Sequence, residues 1–450
     1  MHIILPQNVK TIIRTLEDAG FEAFAVGGCV RDSLLHRSPE DWDITTSALP
    51  EEVKQHFKRT IDTGIKHGTV TVMMGSNSYE VTTYRIDGTY EDSRHPIDVT
   101  YTRNLTEDLK RRDFTINSMA YNEREGLIDV FEGMQDLERK CIRAVGNPKE
   151  RFGEDALRIL RALRFSAQLG YEIEPVTREA ICELASTLEN ISAERIRTEL
   201  IKLLTSPHPE LLREAYKTGV TKVFLPEFDT MMQTVQNNPH HDSTVGEHTL
   251  RSVSVVEADK NLRLIMLLHD VGKSQCRTED EEHIHHFHGH GEVSYNMARA
   301  IMRRLKFDNE TIYTVSTVIR YHDYNPPLQS NAVRRAMNKI GEDLFPLLFP
   351  VKRADIIAQS SYQKQEKLQY VNHLQEIYSE IIAAHECVSL KDLAITGRDV
   401  IQAGMKPGKE IGQVLEWLLE DVIETPEHNT AVYLKEQLPD LIKTAQSISF

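Results

Sequence analysis

Residues 24–46 read FAVGGCVRDSLLHRSPEDWDITT. The apolar run Ala23–Val26 suits a buried strand, and Gly27-Gly28 ends it in a turn. A helix is expected to begin near Val30, with Leu34 and Leu35 on its apolar face. A second strand is expected to carry Asp41-Trp42-Asp43. Two glycines between strand and helix let backbone N–H groups approach a polyphosphate with no Cβ in the way. In a strand, positions i and i+2 share a face, so Asp41 and Asp43 project together while Trp42 points away. Paired hard oxygen ligands beside such a turn are what Mg²⁺-assisted phosphoryl or nucleotidyl transfer requires. Either half of the pattern alone is a common surface feature. In this order, with Arg31 and Asp32 between the halves, it points to chemistry.

Outward from this stretch, Thr69–Met74 and residues 79–84 are rich in β-branched and aromatic residues, and Gly75-Ser76-Asn77 joins them as a hairpin. Residues 85–96 (RIDGTYEDSRHP) are polar and aperiodic and read as a mobile loop. From about residue 150 the pattern turns helical, with breaks at Pro207, Pro209, Pro326-Pro327 and residues 404–408. The expected domains are 1–150, 151–236, 237–360 and 361–450. At 450 residues, 40% hydrophobic and 27% charged, the composition is that of an ordinary soluble protein. No apolar run reaches the length of a membrane span, and the N-terminus has no signal-peptide layout. Cys29, Cys141, Cys182, Cys276 and Cys387 are scattered and form no CxxC pair, which suits a reducing cytoplasm. A net charge of −15 argues against a protein that coats nucleic acid. Local basic clusters remain at 110–112, at Arg158, Arg161 and Arg164, at Arg195 and Arg197, and at Arg334-Arg335. The last pair reads equally well as a solvated face.

The order GGxVRD then DxD resembles the head of the class II tRNA nucleotidyltransferase and bacterial poly(A) polymerase family, within the polymerase β superfamily. Residues 109–117 (LKRRDFTIN) are similar to that family's second motif, and residues 153–158 (GEDALR) to its nucleotide-selecting motif. The resemblance implies an α+β, polymerase β-like nucleotidyltransferase head followed by an all-α neck. It implies Mg²⁺ at the catalytic pair Asp41 and Asp43, with Glu80 a candidate third carboxylate. Nucleotide binding would fall to Gly28, Arg31, Arg112, Asp113, Asp155, Arg158, Arg161 and Arg164. Arg112 would hold the triphosphate or orient the base pocket, and Asp113 would accept from the ribose 2′-OH.

The helix expected from about Gly153 puts Ala156, Ile159, Leu160, Leu163 and Ala167 on one apolar stripe. Glu154, Asp155, Arg158 and Arg161 project opposite, with Arg164 at the margin. An ion-paired amphipathic helix would look the same. Base chemistry favours function. Cytosine and adenine both offer an exocyclic amino group beside a ring-nitrogen acceptor. A carboxylate and a guanidinium, Asp155 and Arg158, would accept both bases and repel uracil and guanine.

Further on, His248, His269-Asp270, His290, His322 and Asp355 fall along expected helices. This order resembles the metal-ligand series of HD phosphohydrolase domains, a site for a divalent metal such as Mn²⁺, Ni²⁺, Fe or Mg²⁺. His283, His285, His286 and His288 read as a solvated loop. Residues 395–400 and 404–408 resemble the helical tail that follows such a domain and helps hold tRNA.

The resemblance implies a cytoplasmic enzyme that adds C and A to the tRNA 3′ end from CTP and ATP, with tRNA as partner and no membrane. Addition of A alone, of CC alone, or poly(A) synthesis are the related readings. A phosphohydrolase that uses the head as an RNA-binding module is the reading from another class. Nothing in the sequence sets the oligomeric state.

Overall fold

Four consecutive buried residues, AFAV, make β1 (Ala23–Val26) a strand covered on both faces, as its unbroken apolar run requires. The computed structural model describes residues 2–88 and 99–448, and the chain forms two compact units, Met1–Asp229 and Thr230–Phe450. In the first unit α1 (Gln7–Asp18) precedes β1 and buries Val9, Ile12, Ile13 and Leu16. Then follow α2 (Gly28–Leu34), β2 (Ile44–Thr46), α3 (Pro50–His56), β3 (Thr60–Gly64), β4 (Thr69–Met74) and β5 (Asn77–Thr83). β6 (Arg85–Asp87), β7 (Val99–Tyr101), α4 (Leu105–Lys110), β8 (Ala120–Asn122), β9 (Gly126–Ile128) and α5 (Gly133–Arg139) complete the head. One mixed sheet runs in the order β3-β4-β5-β2-β1-β8-β9. Within it β2 lies parallel to β5 and antiparallel to β1. The polymerase β-like α+β head with a helical continuation is therefore the fold.

Four local expectations shift. The helix after the glycines starts at Gly28, not Val30, and buries Cys29, Val30 and Arg31 while Leu34 and Leu35 stay half-buried. Asp41-Trp42-Asp43 lies on the extended lead-in to β2, whose pairing begins at Ile44. The alternation survives, because Trp42 is half-buried while both aspartates are exposed, and Val26 N already donates to Asp43 O at 3.0 Å. The expected loop at 85–96 opens with β6, which pairs with β7; residues 89–96 of it lie outside the described residues. The β4–β5 turn holds two residues, Gly75 and Ser76, since Asn77 is already paired with Met74.

The neck contains α6 (Pro148–Glu154), α7 (Leu157–Leu169), α8 (Pro175–Leu184) and α9 (Ala193–Leu204). The single helix expected from Gly153 is broken. Asp155 leaves the helical region at φ −140° and ψ 103°, and α7 restarts just beyond it. The expected apolar stripe is buried, but Arg158 and Arg164 are buried with it, at 9% and 6% exposure, rather than projecting into solvent.

In the second unit the helices that carry the histidines are α10 (Val245–Val255), α11 (Lys260–Leu268), α12 (His290–Arg304) and α13 (Asn309–Tyr321). After them come α14 (Ser330–Ile340), α15 (Leu348–Ala358) and α16 (Lys364–Ala383). The segment read as a solvated histidine loop is a short hairpin, β10 (Thr278–Glu279) against β11 (His285–His286). In it His285 is buried and accepts from Asn237 N at 3.1 Å. Arg334 and Arg335 are not a shared solvated face. Arg334 is buried on α14, donating to Ile423 O at 2.7 Å and Glu386 Oε2 at 2.6 Å, and exposed Arg335 pairs with Glu424. A separate core around Val400, Val414, Leu418 and Leu434 closes the C-terminal helices. Among the described residues no helix is long and apolar enough to cross a membrane.

Candidate functional site

Gly27 sits at φ +83°, and a Cβ there would stand 3.1 Å from Arg112 Nη1. Any side chain would thus be strained and would push on the arginine, which explains glycine at this turn. Gly28, Arg31, Asp41, Asp43, Arg112, Asp113, Asp155, Arg158, Arg161 and Arg164 all line one cavity of about 910 Å³ in the first unit. Glu80, on β5, is not part of that lining. Burial, then the charges of Asp43 and Asp41, raises its carboxyl above the ordinary value. Asp43 keeps accessible surface, but the protein crowding it displaces enough water to raise its carboxyl, helped by Asp41 and opposed by Arg112. These carboxylates repel one another in a partly desolvated place, a donor set of hard oxygens that fits Mg²⁺.

Asp113 is the hub of the basic side. Its Oδ2 accepts from Arg161 Nε at 2.7 Å, and its Oδ1 accepts from Asn117 Nδ2 at 3.2 Å and Phe114 N at 2.8 Å. Burial opposes the Asp113 charge, but Arg161, Asn117 and Arg158 outweigh it and hold the carboxyl down to about 2. Arg31 donates to Asn117 Oδ1 at 2.6 Å and pairs with Asp32. The guanidinium carbons of Arg31, Arg161 and Arg164 lie 5.1, 5.4 and 4.2 Å from the Phe165 ring centroid, so one aromatic face collects three cations. Burial pushes Arg164 down to about 10, and Glu199 at 3.1 Å keeps it charged near neutrality.

Asp155 and Arg158 share the cavity; Arg158 N donates to Asp155 O at 3.0 Å, while among the described residues their side chains are bonded to other groups. Asp155 Oδ1 accepts from Leu157 N at 3.0 Å, which starts α7, and Oδ2 accepts from Arg195 Nη2 at 2.8 Å. Arg158 donates to Glu154 Oε2 at 2.6 Å and to the carbonyls of Arg151 and Arg111. Both groups are therefore fixed by third parties, as a rigid reader of base edges must be.

The sequence reading missed several of these supports. Asp108 is fully buried; it accepts from Arg111 Nη2 at 2.8 Å and from Thr45 Oγ1 at 3.0 Å, and lies 3.5 Å from Arg112. Its signal was present, an acid three and four residues ahead of two arginines on a helix. Arg195 and Glu199, one turn apart on α9, hold Asp155 and Arg164; they face α7 only through tertiary packing.

In the second unit His248, on α10, meets His269 and Asp270 just after α11, His290 at the start of α12, His322 at the end of α13 and Asp355 on α15. Two sets have ligand atoms within 4.8 Å of one another: His248, His269 and Asp270, and Asp270, His290 and His322. Asp270 belongs to both. Its Oδ2 lies 3.3 Å from His269 Nε2, and its Oδ1 lies 3.3 Å from His290 Nε2. Asp355 Oδ1 is 2.8 Å from His248 Nε2. The Nδ1 atoms of His269, His290 and His322 lie 2.7, 2.9 and 2.6 Å from the carbonyls of Met266, Phe287 and Ile319. A carbonyl only accepts, so each Nδ1 donates and Nε2 is the ring nitrogen turned toward the carboxylates. His269 Nε2 is buried and, among the described residues, meets no hydrogen-bond partner of good geometry. Burial opposes an imidazolium at His269, yet Asp270 and Asp355 outweigh it and lift the group to about 10. The cluster thus attracts positive charge from inside a dry site, which fits one or two divalent cations. Sequence reasoning missed Lys273, 2.7 Å from Asp270 Oδ2, and His241, pushed down to about 3 by burial and Lys273.

Residues 23–143 match the Poly A polymerase head domain family. Residues 170–232 match the RNA and SrmB-binding site of polymerase A, and residues 278–438 match tRNA nucleotidyltransferase domain 2. The CCA-adding enzyme of Lactobacillus helveticus is 36% identical over 438 residues, covering 96% of each chain. That of Limosilactobacillus reuteri is 34% identical over 442 residues, again covering 96% of each. The crystal structure of the Bacillus stearothermophilus CCA-adding enzyme in complex with CTP superposes with a TM-score of 0.72 at 28% identity, over 99% of this chain and 100% of that one.

Proposed function

The chain belongs to the family of CCA-adding enzymes, which are nucleotidyltransferases, and on that premise we propose that it adds C and A to the tRNA 3′ end from CTP and ATP without a nucleic-acid template. The observation that carries this reading is the meeting of Asp155 and Arg158 with Asp41 and Asp43 in one cavity. The 3′-hydroxyl oxygen forms the new bond to the α-phosphorus, the bond from that phosphorus to pyrophosphate breaks, and the carboxylate group takes up the hydroxyl proton. Mg²⁺ held by Asp41 and Asp43, with Glu80 adjacent, supplies charge neutralisation for the triphosphate. Arg112 and the arginines about Phe165 bind the phosphates, and Asp113 orients the ribose through its 2′-OH. Asp155 accepts from the exocyclic amino group of the base and Arg158 donates to the ring nitrogen beside it. The head and neck are assigned to 1–150 and 151–236, the histidine domain to 237–360 and the tail to 361–450. Five free thiols suit the cytoplasm.

The test uses tRNA ending at position 73, 74 or 75, with CTP and ATP supplied separately. CTP should extend the first two and ATP the third. Extension by ATP alone identifies an A-adding enzyme, by CTP alone a CC-adding one, and long A tails a poly(A) polymerase.

A second activity is favoured by the shared Asp270 carboxylate. We assign to the second unit a metal-dependent hydrolysis of 2′,3′-cyclic or 2′-phosphate esters. Held by His248, His269, Asp270, His290, His322 and Asp355, Mn²⁺, Ni²⁺, Fe or Mg²⁺ supplies Lewis-acid polarisation of the phosphoryl group. A water oxygen bonds to phosphorus, the bond to one ribose oxygen breaks, and that oxygen takes a proton. Lys273 offers an ammonium group to the phosphate beside Asp270.

A further inference from the structure

Asp270, His322 and Asp355 of this cluster open onto a cavity of about 780 Å³, more than one phosphate requires, and its wall carries a cation that makes no ion pair among the described residues. Lys367, in the first turn of α16, donates to Gln359 Oε1 at 2.6 Å and to His240 Nδ1 at 2.9 Å. Both acceptors are neutral, and among the described residues the ammonium group makes no ion pair. Lys273 differs, since it touches Asp270 directly. Between Lys367 and the nearest ligand carboxylate stands an amide: Gln359 Nε2 donates to Asp355 Oδ2 at 3.0 Å. The charge is thus held one side-chain amide beyond the metal ligand, beside whatever extends from it.

The position is built rather than incidental. An ammonium group only donates, so His240 Nδ1 accepts, and its remaining N–H is on Nε2, with no hydrogen-bond partner among the described residues. Ser360 fixes the His240 loop, donating from N to His240 O at 2.9 Å and from Oγ to Pro239 O at 2.6 Å. The Tyr362 ring meets the imidazole edge-on at 5.0 Å. Ile356, Tyr370 and Val371 line the same cavity and give it apolar surface. On the other side of Asp355, one turn earlier on α15, buried Lys352 donates to His322 O at 2.7 Å and Asn325 Oδ1 at 3.0 Å. Lys352 and Asp355 share a face of α15, so one cation stands a turn before Asp355, and Lys367 stands on its other side beyond the Gln359 amide. Successive cations beside an apolar wall suit a single strand, with phosphates on the charges and a base on the apolar surface.

We propose that Lys367, held by Gln359 and His240 beside Asp355, binds the phosphodiester next to the phosphate being hydrolysed, so that this pocket takes the end of an RNA strand and not a mononucleotide. The assignment rests on the phosphohydrolase reading above and names its substrate class. The test compares wild type, Lys367→Met and Lys367→Arg as full-length protein loaded with Mn²⁺. Substrates are a trinucleotide ending in a 2′,3′-cyclic phosphate, cytidine 2′,3′-cyclic phosphate, and a nucleoside diphosphate as competitor. Removing the charge should lower the trinucleotide-to-mononucleotide ratio of kcat/KM about tenfold, through KM, with Arg restoring most of it. One phosphate contact also changes the slope of log KM against log salt by about 0.7. A readout free of turnover is the affinity of the EDTA-treated protein for a labelled trinucleotide 3′-phosphate, which should weaken about tenfold in Lys367→Met. Equal losses on both substrates would make Lys367 a support for Asp355 and overturn the subsite. So would unchanged kinetics and binding, or a nucleoside diphosphate competing through Lys367 better than the trinucleotide does. If wild type binds Mn²⁺ but hydrolyses none of these esters while trinucleotide affinity still depends on Lys367, the hydrolase reading fails and the strand subsite stands.

Discussion

The cavity around Asp41 and Asp43 gathers guanidinium groups, whereas the cavity around Asp270 gathers imidazoles and ammonium groups. In the first, the cations are already tied to protein carboxylates: Arg161 to Asp113, Arg158 to Glu154, Arg164 to Glu199, Arg195 to Asp155. Arginine suits this arrangement because its planar fork keeps several donors in fixed directions while staying charged. A nucleotide entering there finds donors already aimed. In the second, three imidazoles are locked through Nδ1 to backbone carbonyls, and their Nε2 atoms gather with the Asp270 carboxylate oxygens. One site is preorganised for an anion and the other for a cation. Phosphate chemistry in each needs the complementary partner.

If the two inventories work separately, the largest effect should come from the carboxylates of the first. Asp41→Ala or Asp43→Ala should lower nucleotide addition by about three orders of magnitude, roughly 4 kcal/mol of barrier, with tRNA affinity changed by less than a few-fold. Single-turnover extension and filter binding measure the two. Retention of more than a few per cent of the rate in both variants would remove this pair from the chemistry.

The reciprocal experiment is His269→Ala or Asp270→Ala. Each should empty the second site, read as bound transition metal per chain by mass spectrometry, and abolish ester hydrolysis. Addition should stay within about twofold, because its carboxylates and arginines all lie in the other unit. Loss of addition in these variants would mean that the histidine cluster supports the fold or the grip on tRNA, and the comparison would collapse.

What the sequence made legible follows the same division between local and tertiary. The Gly27-Gly28 turn, the aspartate pair and the arginines at 158, 161 and 164 are short-range patterns, and all of them reach one cavity. The six metal-ligand candidates were readable because the whole set falls in order along helices; His-Asp alone also occurs at 241–242 and 322–323. The break at Asp155 was not read from the helical spacing; Asp155 caps Leu157 N locally, and Arg195, forty residues away on α9, holds its other oxygen. Burial of Arg158 and Arg164 was hidden because helical spacing gives a face, but the neighbour covering it comes from the fold. The histidine hairpin at 278–286 lacked any turn signature, and it is pinned by Asn237 from outside the segment.

A smaller effect tests how rigid the first inventory is. Asp155→Ala leaves Arg195 without its carboxylate and the base amino group without its acceptor. Discrimination of CTP and ATP against UTP and GTP should fall by about 10- to 100-fold in kcat/KM ratios, with the sum of all nucleotide use reduced less. Unchanged base choice would leave α7 an ordinary ion-paired helix and shift specificity to another part of the cavity.

The smallest effect concerns stability. Asp113 is 8% exposed and is the carboxylate on which Arg161 and Asn117 converge. Its carboxyl is held at about 2 against an ordinary 3.8, the depressed case, with burial opposed and outweighed by Arg161. Such a group stabilises the folded state above its ordinary value, and the contribution is lost as pH falls from about 4 through about 2. The shift corresponds to about 2 kcal/mol at neutral pH. Asp113→Asn should therefore lower the stability of the first unit by about that amount at pH 7, and the gap to wild type should narrow below pH 4. The chain has two tryptophans, Trp42 in the first unit and Trp417 in the second. A Trp417→Phe background thus makes Trp42 fluorescence in a denaturant titration report on the first unit. A gap that stays constant from pH 7 to pH 3 would show that Asp113 acts through packing and hydrogen bonding, and that the carboxylate ties of the first cavity are geometric rather than electrostatic.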